Sequence, residues 1–463
     1  MSVRRSSAAR RAPAPPQESP RSNVDTSTLT NDQKTARLEI AKACKPKARH
    51  LLEGGGGVGK THLAAIAVQN ILDRGKTVAV TAPTHAAVAV AAAKLAAVGL
   101  GHVPCRTIQS YLCLEPKPDD TGRIRLRRRK HAEAPKEDAV VLDECSMVPT
   151  DLNEHVDRHL FHAFVLYVGD DHQIPPVGEV RSPTFNTRSR STLREPVRQA
   201  KDNPVLQIAN EIRALQDHPD PTYMDWSWCR AVNQKPRGVY LPGGAIDLWL
   251  RRAFESPDFA KDKTAFRYVC WTNAKVAAIN GKIRQWLFGE TETPFVPGET
   301  VLIRQPIVQD KTVLFNTNEE APVEEICEGT YTHRFEERAG LDAWSVQIPA
   351  WKVVLRREES DTQVTVYLPR DEDLVARVND KLVSEARISR DRWDDREDFK
   401  GSLARLQACY AQTVHTVQGA THGCTFVDVA DIRRRQRDNL LEMKQLLYTA
   451  AARPTTALML VGV

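Results

Sequence analysis

Apolar residues in this chain fall into short continuous runs rather than strict alternation. Thr77-Val78-Ala79-Val80-Thr81, Ala139-Val140-Val141-Leu142, Phe164-Val165-Leu166-Tyr167-Val168, Phe266 to Trp271, Thr425-Phe426-Val427-Asp428-Val429 and Ala457-Leu458-Met459-Leu460-Val461 are such runs, with the shorter Leu51-Leu52 among them. A run with few polar breaks suits a strand covered on both faces. Between these runs lie stretches with helical spacing. Leu63, Ile66, Val68 and Ile71 sit roughly one turn apart, Asn203 to Leu215 reads as a helix, and Val276, Ile279, Ile283 and Leu287 mark one face of another over residues 273–288. Leu29-Thr30-Asn31-Asp32-Gln33 is a capped start to a helix carrying Ala36, Leu38, Ile40 and Ala41. Ala82-Pro83-Thr84-His85-Ala86-Ala87 opens an alanine-rich one. Strand and helix in alternation predict an α/β fold with parallel sheets and helices on their faces.

Three stretches break that rhythm. Residues 115–137 are polar, with a turn signal at Asp119-Asp120-Thr121-Gly122 and a basic run, Arg123, Arg125, Arg127, Arg128, Arg129 and Lys130. Alternation in Arg123-Ile124-Arg125-Leu126-Arg127 reads as a strand with one basic face, hence an inserted hairpin; a solvated loop fits the same residues. Residues 289–404 hold short strand-like pieces such as Thr300-Val301-Leu302-Ile303 and Thr362-Gln363-Val364-Thr365-Val366-Tyr367, separated by charged loops. Residues 1–28 carry arginine, serine and proline with almost no large apolar side chains, the composition of a disordered basic tail. An organellar leader is the second reading of that tail, although Pro13, Pro15, Pro16 and Pro20 interrupt any amphipathic helix.

At 463 residues the chain has room for about three domains of ~150 residues. Its 41% hydrophobic and 27% charged composition is that of a globular protein, and no run of ~18 apolar residues predicts a membrane span. The net charge of +6 is modest for this length, so any surface for nucleic acid must come from local patches. Nine scattered cysteines, never spaced C-x-x-C, speak against a zinc site or a disulfide framework and predict a reducing, cytoplasmic setting.

The chemistry concentrates behind Leu51-Leu52. Gly54-Gly55-Gly56-Gly57-Val58-Gly59-Lys60-Thr61 fits the G-x-x-x-x-G-K-T pattern of a P-loop, in its required context of strand, loop and helix. Its backbone N–H groups and the following helix N-terminus favour a triphosphate, Lys60 reaches the terminal phosphates, and Thr61 holds magnesium, with His62 beside it. A bare glycine-rich linker would lack those flanks. The strand Ala139–Leu142 ends in Asp143-Glu144, at the carboxyl edge where open α/β sheets bind ligands. Asp143 can hold the metal, directly or through water, and Glu144 can take a proton from an attacking water. The run ending at Val168 leads into Gly169-Asp170-Asp171-His172-Gln173, placing Gln173 at the same edge. Gln33 can read an adenine edge, or be a plain surface residue.

The order of these motifs resembles superfamily 1 helicases of the RecD and Dda branch, with the nearest likeness to Dda-type phage DNA helicases. The matching stretches, from Leu29 to Val463, include the P-loop, Thr107-Ile108-Gln109-Ser110, Val141 to Met147, Gly169 to Val177, and Leu193-Arg194-Glu195-Pro196-Val197-Arg198. Thr413-Val414-His415-Thr416-Val417-Gln418-Gly419 and Leu447-Tyr448-Thr449-Ala450-Ala451-Ala452-Arg453 complete the set. The resemblance implies two RecA-like domains with ATP and Mg2+ between them. Its domain limits are 29–195 for the first, with a wedge hairpin inserted at 111–137, 196–288 and 405–463 for the second, and a small SH3-like barrel with an extension at 289–404. Arg198 and Arg453 match the positions that reach the terminal phosphate from across the cleft; Gln418 and Gly419 are expected near the nucleotide. Thr84, His85, Thr107, Thr413 and His415, with Arg127 and Arg128 of the hairpin, are expected to touch nucleic acid, chiefly phosphates.

The implied activity is ATP-dependent translocation on single-stranded DNA, 5′ to 3′, with duplex unwinding. The implied ligands are single strands and forks, with a single-strand-binding protein or replication proteins as partners, no membrane, and a monomer as the working form. A viral-type RNA helicase and a nucleic-acid-binding protein with a decayed ATPase are the alternatives. Trp226, Trp228, Trp344 and Trp351 are core residues or base-stacking platforms. Two departures stand out: Thr416 where relatives carry lysine, and Ala452 before Arg453 where they carry threonine or serine.

Overall fold

Strands β1 (Arg49–Gly54), β2 (Val78–Ala82), β3 (Cys105–Thr107), β6 (Ala139–Leu142), β7 (Phe164–Gly169) and β8 (Arg190–Leu193) form one sheet in the order β3-β2-β6-β7-β1-β8. Every pairing in it is parallel. The computed structural model describes residues 26, 29–119, 121–197, 202–234, 236–309, 312–357 and 362–463. The tail expected over residues 1–28 lies outside the described residues, Thr26 apart. Residues of β2, β6 and β7 are buried throughout, because both faces are covered. Leu52, Val141, Leu166 and Val168 pack with helices α1 (Asn31–Ala43), α2 (Lys60–Leu72) and α3 (His85–Ala97). Leu51, Val140, Leu142, Val165 and Tyr167 point the other way, toward Leu152 and Val156 of α4 (Thr150–His159). Since β6, β7 and β1 are neighbours running in one direction, the segments that follow them share one edge.

The second sheet, β19-β11-β20-β21-β10-β9, repeats the design with β9 (Val232–Gln234), β10 (Arg237–Tyr240), β11 (Phe266–Cys270), β19 (Ala411–Thr413), β20 (His422–Asp428) and β21 (Pro454–Val461). Only the β9–β10 pair is antiparallel. Helices α5 (Pro204–Ala214) and α9 (Leu440–Ala451) cover one face through Val205, Ile208, Ile212, Met443, Leu446 and Leu447, and α6 (Asn273–Phe288) covers the other through Val276 and Ile283. The chain thus has largely parallel sheets with helices on their faces, as its pattern predicts, in the two RecA-like lobes that the resemblance implies.

The first insertion is a hairpin, β4 (Leu114–Pro118) against β5 (Ile124–Arg128). Asp119 builds its turn, accepting hydrogen bonds from Thr121 N–H at 2.9 Å and Arg123 N–H at 3.0 Å. Leu126 is half-buried while Arg125 and Arg127 stay exposed, the one-sided basic strand that the alternation predicts.

The second insertion differs from its short-strand expectation. Strands β15 (Glu320–Phe335) and β16 (Trp344–Arg357) are 16 and 14 residues long and pair through much of their length. With β12 (Thr300–Ile303), β17 (Thr362–Pro369) and β18 (Leu406–Ala408) they form an antiparallel sheet in the order β17-β16-β15-β12-β18. A bridge between Tyr367 and Leu403 draws its edges together, with Ala404 N–H donating to Tyr367 O at 2.7 Å, so the sheet curls where a small barrel is expected. The outer part of the ribbon escaped the pattern because Cys327, Glu328, Gly329 and Arg334 leave no sustained apolar face. A small pair, β13 (Ile307–Gln309) with β14 (Thr312–Phe315), lies before it, and helices α7 (Glu372–Glu385) and α8 (Arg392–Ser402) pack on the ribbon. Trp393 of α8 reaches the hairpin of the first lobe: a Cβ on Gly122 would lie 2.6 Å from its ring. Hairpin and second insertion therefore touch.

Trp228 is buried, Trp226 lies under Arg433, Trp344 packs on Phe335 and under Lys381, and Trp351 lies under Arg370. These four act as packing residues in this structure.

Candidate active site

The P-loop leaves β1 and enters α2 through Gly59, whose φ of +82° is strained for any residue with a side chain; a Cβ there would lie 2.4 Å from Gln33 Nε2. No side chain caps α2, so its first N–H groups remain directed at the loop's hollow. Lys60 Nζ donates to Gly54 O at 2.6 Å and Gly55 O at 2.9 Å, folded back over the loop of Gly54, Gly55, Gly56, Gly57 and Val58. Thr61 Oγ1 accepts from Lys94 Nζ at 3.3 Å, a lysine on α3 that sequence reasoning missed because nothing local ties it to the loop. His62 follows in the first turn of α2, half-buried.

Asp143 and Glu144 stand at the end of β6. Desolvation, then the carboxylate of Glu144, push the Asp143 carboxyl up to about 6, against the pull of Lys94 and Lys60. That is the setting in which a bound divalent cation gains most. Glu144 holds φ +50° and ψ +42°, a left-handed backbone that few non-glycine residues adopt, and its N–H donates to Asp143 Oδ1 at 2.9 Å. Gln173 is buried, and its Oε1 has no hydrogen-bond partner among the described residues. An orphaned acceptor beside free helix N–H groups, a lysine and two carboxylates fits a nucleoside triphosphate with its metal and attacking water. Thr61 and Asp143 would hold that metal, phosphate oxygens and water completing its shell.

Gln33 is placed differently from its expectation as a base reader. It is 1% exposed, its Oε1 accepts from Thr30 N–H at 3.0 Å in a capping box, and its Nε2 donates to Val58 O at 2.8 Å. It braces the P-loop from behind.

Across the cleft, the second lobe bonds to the segment after β7 at several points. Ile174 N–H donates to Thr449 Oγ1 at 3.2 Å, Gln418 Nε2 to Ile174 O at 3.1 Å, and Gln216 Nε2 to His172 O at 3.0 Å. The hydroxyl of Tyr448 donates to Asp170 Oδ2 and accepts from Gly56 N–H at 3.0 Å. Arg453 is buried in its own lobe, its Nε donating to Thr449 O at 3.0 Å and Nη1 to Ala420 O at 3.3 Å. Arg198 lies outside the described residues. Gly419 departs from its expected place near the nucleotide: a Cβ there would lie 3.1 Å from Ala87 Cβ and 3.3 Å from Thr84 Oγ1.

His172 adds a titratable tie, its Nε2 lying 2.7 Å from Asp217 Oδ1 of the second lobe. Burial lowers its pKa, but Asp170 and Asp217 outweigh burial and Arg213, so the net shift is upward. The tie is therefore fully present below ~6.5 and is lost as pH rises through the raised value. The melting-temperature gap between the wild type and His172→Ala should shrink as pH rises above the ordinary histidine range; a gap independent of pH contradicts that role.

Residues 28–226 match the AAA domain family. Over 92% of this chain and 97% of its own length, the ATP-dependent DNA helicase dda of Enterobacteria phage T4 is 23% identical. Both are likenesses to helicases of the superfamily 1 type that the order of motifs resembles. Among solved structures, the Pif1 helicase of Candida albicans is 17% identical, with a TM-score of 0.46 over 94% of each chain. Bacteroides Pif1 bound to ssDNA is 17% identical, with a TM-score of 0.47 over 93% of this chain and 92% of that one.

Of the residues expected to meet nucleic acid, Thr84 and His85 follow β2 and Thr107 closes β3, at the carboxyl edge that also carries the P-loop. Thr84 caps α3, accepting from Ala87 N–H at 3.2 Å, and Thr107 accepts from Ser110 N–H at 3.2 Å. A capping hydroxyl still has its own hydrogen to donate. His85 opens α3, half-buried. Thr413 Oγ1 lies 2.9 Å from Thr416 Oγ1, and burial lowers the pKa of His415 despite Glu442. Thr416 Oγ1 accepts from Arg304 Nη1 at 3.5 Å, so a guanidinium stands beside the position where the resemblance implies a lysine. On the hairpin, Arg127 is exposed and Arg128 Nη2 donates to Ala132 O and Glu133 O. A cavity of about 370 Å³ between hairpin and α4 is lined by Arg125, Arg127, Arg128, Arg158, His155 and His159.

Proposed function

We propose that this chain is an ATP-dependent DNA helicase, translocating 5′ to 3′ on single strands and opening forks ahead of it. The observation that carries the reading is the meeting of Lys60, Asp143, Glu144 and Gln173 at one sheet edge, with second-lobe residues Tyr448, Thr449 and Gln418 bonded to that edge. Water attacks the terminal phosphorus as its bond to the bridging oxygen breaks and ADP leaves; Glu144 takes the proton. Lys60, with Arg198 and Arg453 from the second lobe, neutralises the charge that develops, while Mg2+ bound by Thr61 and Asp143 would add its own positive charge. Because both lobes contribute, closure follows nucleotide state, and alternate closing and opening moves the chain along a strand. The phage T4 relative is an ATP-dependent DNA helicase, which supports the substrate class.

The proposed units are residues 29–195, 196–288 with 405–463, and 289–404; the first two sheets fall within the first two units, whereas β18 (Leu406–Ala408) pairs with β12 of the inserted sheet and favours a last boundary after Ala408. ATP hydrolysis stimulated by DNA homopolymers more than by RNA is the expected result; the reverse preference would favour an RNA helicase. The hairpin supplies a second test. Neutralising Arg127, Arg128 and Arg129 together should reduce strand separation at least tenfold more than single-strand-stimulated ATPase, in order-of-magnitude terms. Equal loss of both would make the hairpin a plain binding patch.

A further inference from the structure

Helix α5 lies across the P-loop. Leu206, Asn210 and Arg213 fall at i, i+4 and i+7, one helical face. A Cβ on Gly55 would come within 3.2 Å of Arg213 Cδ and Nε and 3.6 Å of Asn210 Oδ1, and one on Gly56 within 3.6 Å of Leu206 Cδ2. Absence of a side chain at Gly55 is what lets the guanidinium of a second-lobe arginine rest on the phosphate loop. Arg213 also borders a cavity of about 710 Å³ that reaches Gly54, Gly55 and Val58.

Its present bonds are loose. Nε lies 3.4 Å from Asp170 Oδ1 and Nη1 3.9 Å from Asp217 Oδ2, long beside the ~2.8 Å of a strong guanidinium–carboxylate pair. Arg392, which has a structural place in this chain, shows the contrast: its side chain is 0% exposed and holds Glu385 at 2.9 Å and Asp395 at 2.8 Å, whereas that of Arg213 is 26% exposed. Asp170 is buried and shared with the Tyr448 hydroxyl, the same hydroxyl that accepts the Gly56 N–H.

We propose that Arg213 is a further catalytic residue, a guanidinium parked on Asp170 that engages the terminal phosphate of a nucleoside triphosphate. The assignment rests on the P-loop reading above and adds a group outside its motifs. A triphosphate taking the Gly56 N–H displaces the Tyr448 hydroxyl; Arg213 then exchanges a long carboxylate contact for a short bond to a phosphate oxygen. ADP, lacking that phosphate, leaves it on Asp170. Arg213 thus distinguishes triphosphate from diphosphate.

The test uses the full chain with single-stranded DNA, Lys60→Ala as reference, and fluorescent ADP and a non-hydrolysable ATP analogue as probes. Arg213→Ala should lower kcat on the order of 10²-fold or more, with Arg213→Lys recovering part. The variant should bind the ATP analogue about tenfold more weakly while ADP binding stays within about threefold. Equal weakening of both probes, or a kcat within about threefold of wild type, overturns the assignment. Asp170→Asn with Arg213→Ala removes both charges and should show the same loss; wild-type kcat in that double variant would mean Arg213 only balances Asp170. If Lys60→Ala hydrolyses ATP normally, the phosphate site itself is misplaced and the proposal falls with it. If Lys60→Ala is inactive while Arg213→Ala is fully active, only Arg213 is misassigned.

Discussion

Glu144→Gln should bind ATP as the wild type does and turn it over about 10³-fold more slowly. The amide has nearly the size of the carboxylate and cannot accept the water's proton. Binding survives because the loop amides, the open N-terminus of α2 and Lys60 are untouched. Position 144 is also held on purpose: its φ of +50° is a costly backbone state, kept by an N–H bond to Asp143 at 2.9 Å and by the buried Cys145 that follows. Single-turnover hydrolysis beside equilibrium nucleotide binding checks this. Unchanged turnover would place the base elsewhere and leave a nucleic-acid-binding protein with a decayed ATPase as the better description.

Arg453→Ala should cost about 10³-fold in DNA-stimulated ATPase, and Arg453→Lys should recover little of it. The residue sits one position past the C-cap of α9, the helix whose Tyr448 and Thr449 already grip the phosphate edge of the first lobe. Its guanidinium holds the Thr449 and Ala420 carbonyls, so the arginine and the interlobe contacts share one rigid turn. Lysine keeps the charge but cannot bridge two carbonyls and a phosphate in one plane. Truncation also removes buried hydrogen bonds, so thermal unfolding should be measured alongside. A fall in kcat no larger than the variant's loss of folded protein would make Arg453 structural.

Most of each lobe was legible in the sequence. A parallel strand buried on both faces is apolar throughout, and its carboxyl end is where a loop must carry polar chemistry; the stretches after β1, β6 and β7 follow directly. The helix over residues 273–288 declares itself by spacing, and the hairpin by alternation and an aspartate turn. What escaped depends on how two sheets face each other. Nothing local says that Arg213 meets Gly55, that Tyr448 meets Gly56, that Lys94 reaches Thr61, or that Gly419 lies on Thr84. Gln33 misled for a related reason: a glutamine two residues into a capped helix suits a base edge or a capping box equally, and burial decides.

A strand-displacement assay on duplexes with a 5′ or a 3′ single-stranded tail, run with ATP and magnesium, tests the central claim most directly. The account predicts that wild-type protein separates the 5′-tailed duplex, leaves the 3′-tailed one intact, and does neither after Glu144→Gln. Robust DNA-stimulated ATP hydrolysis with no separation of either duplex would contradict it.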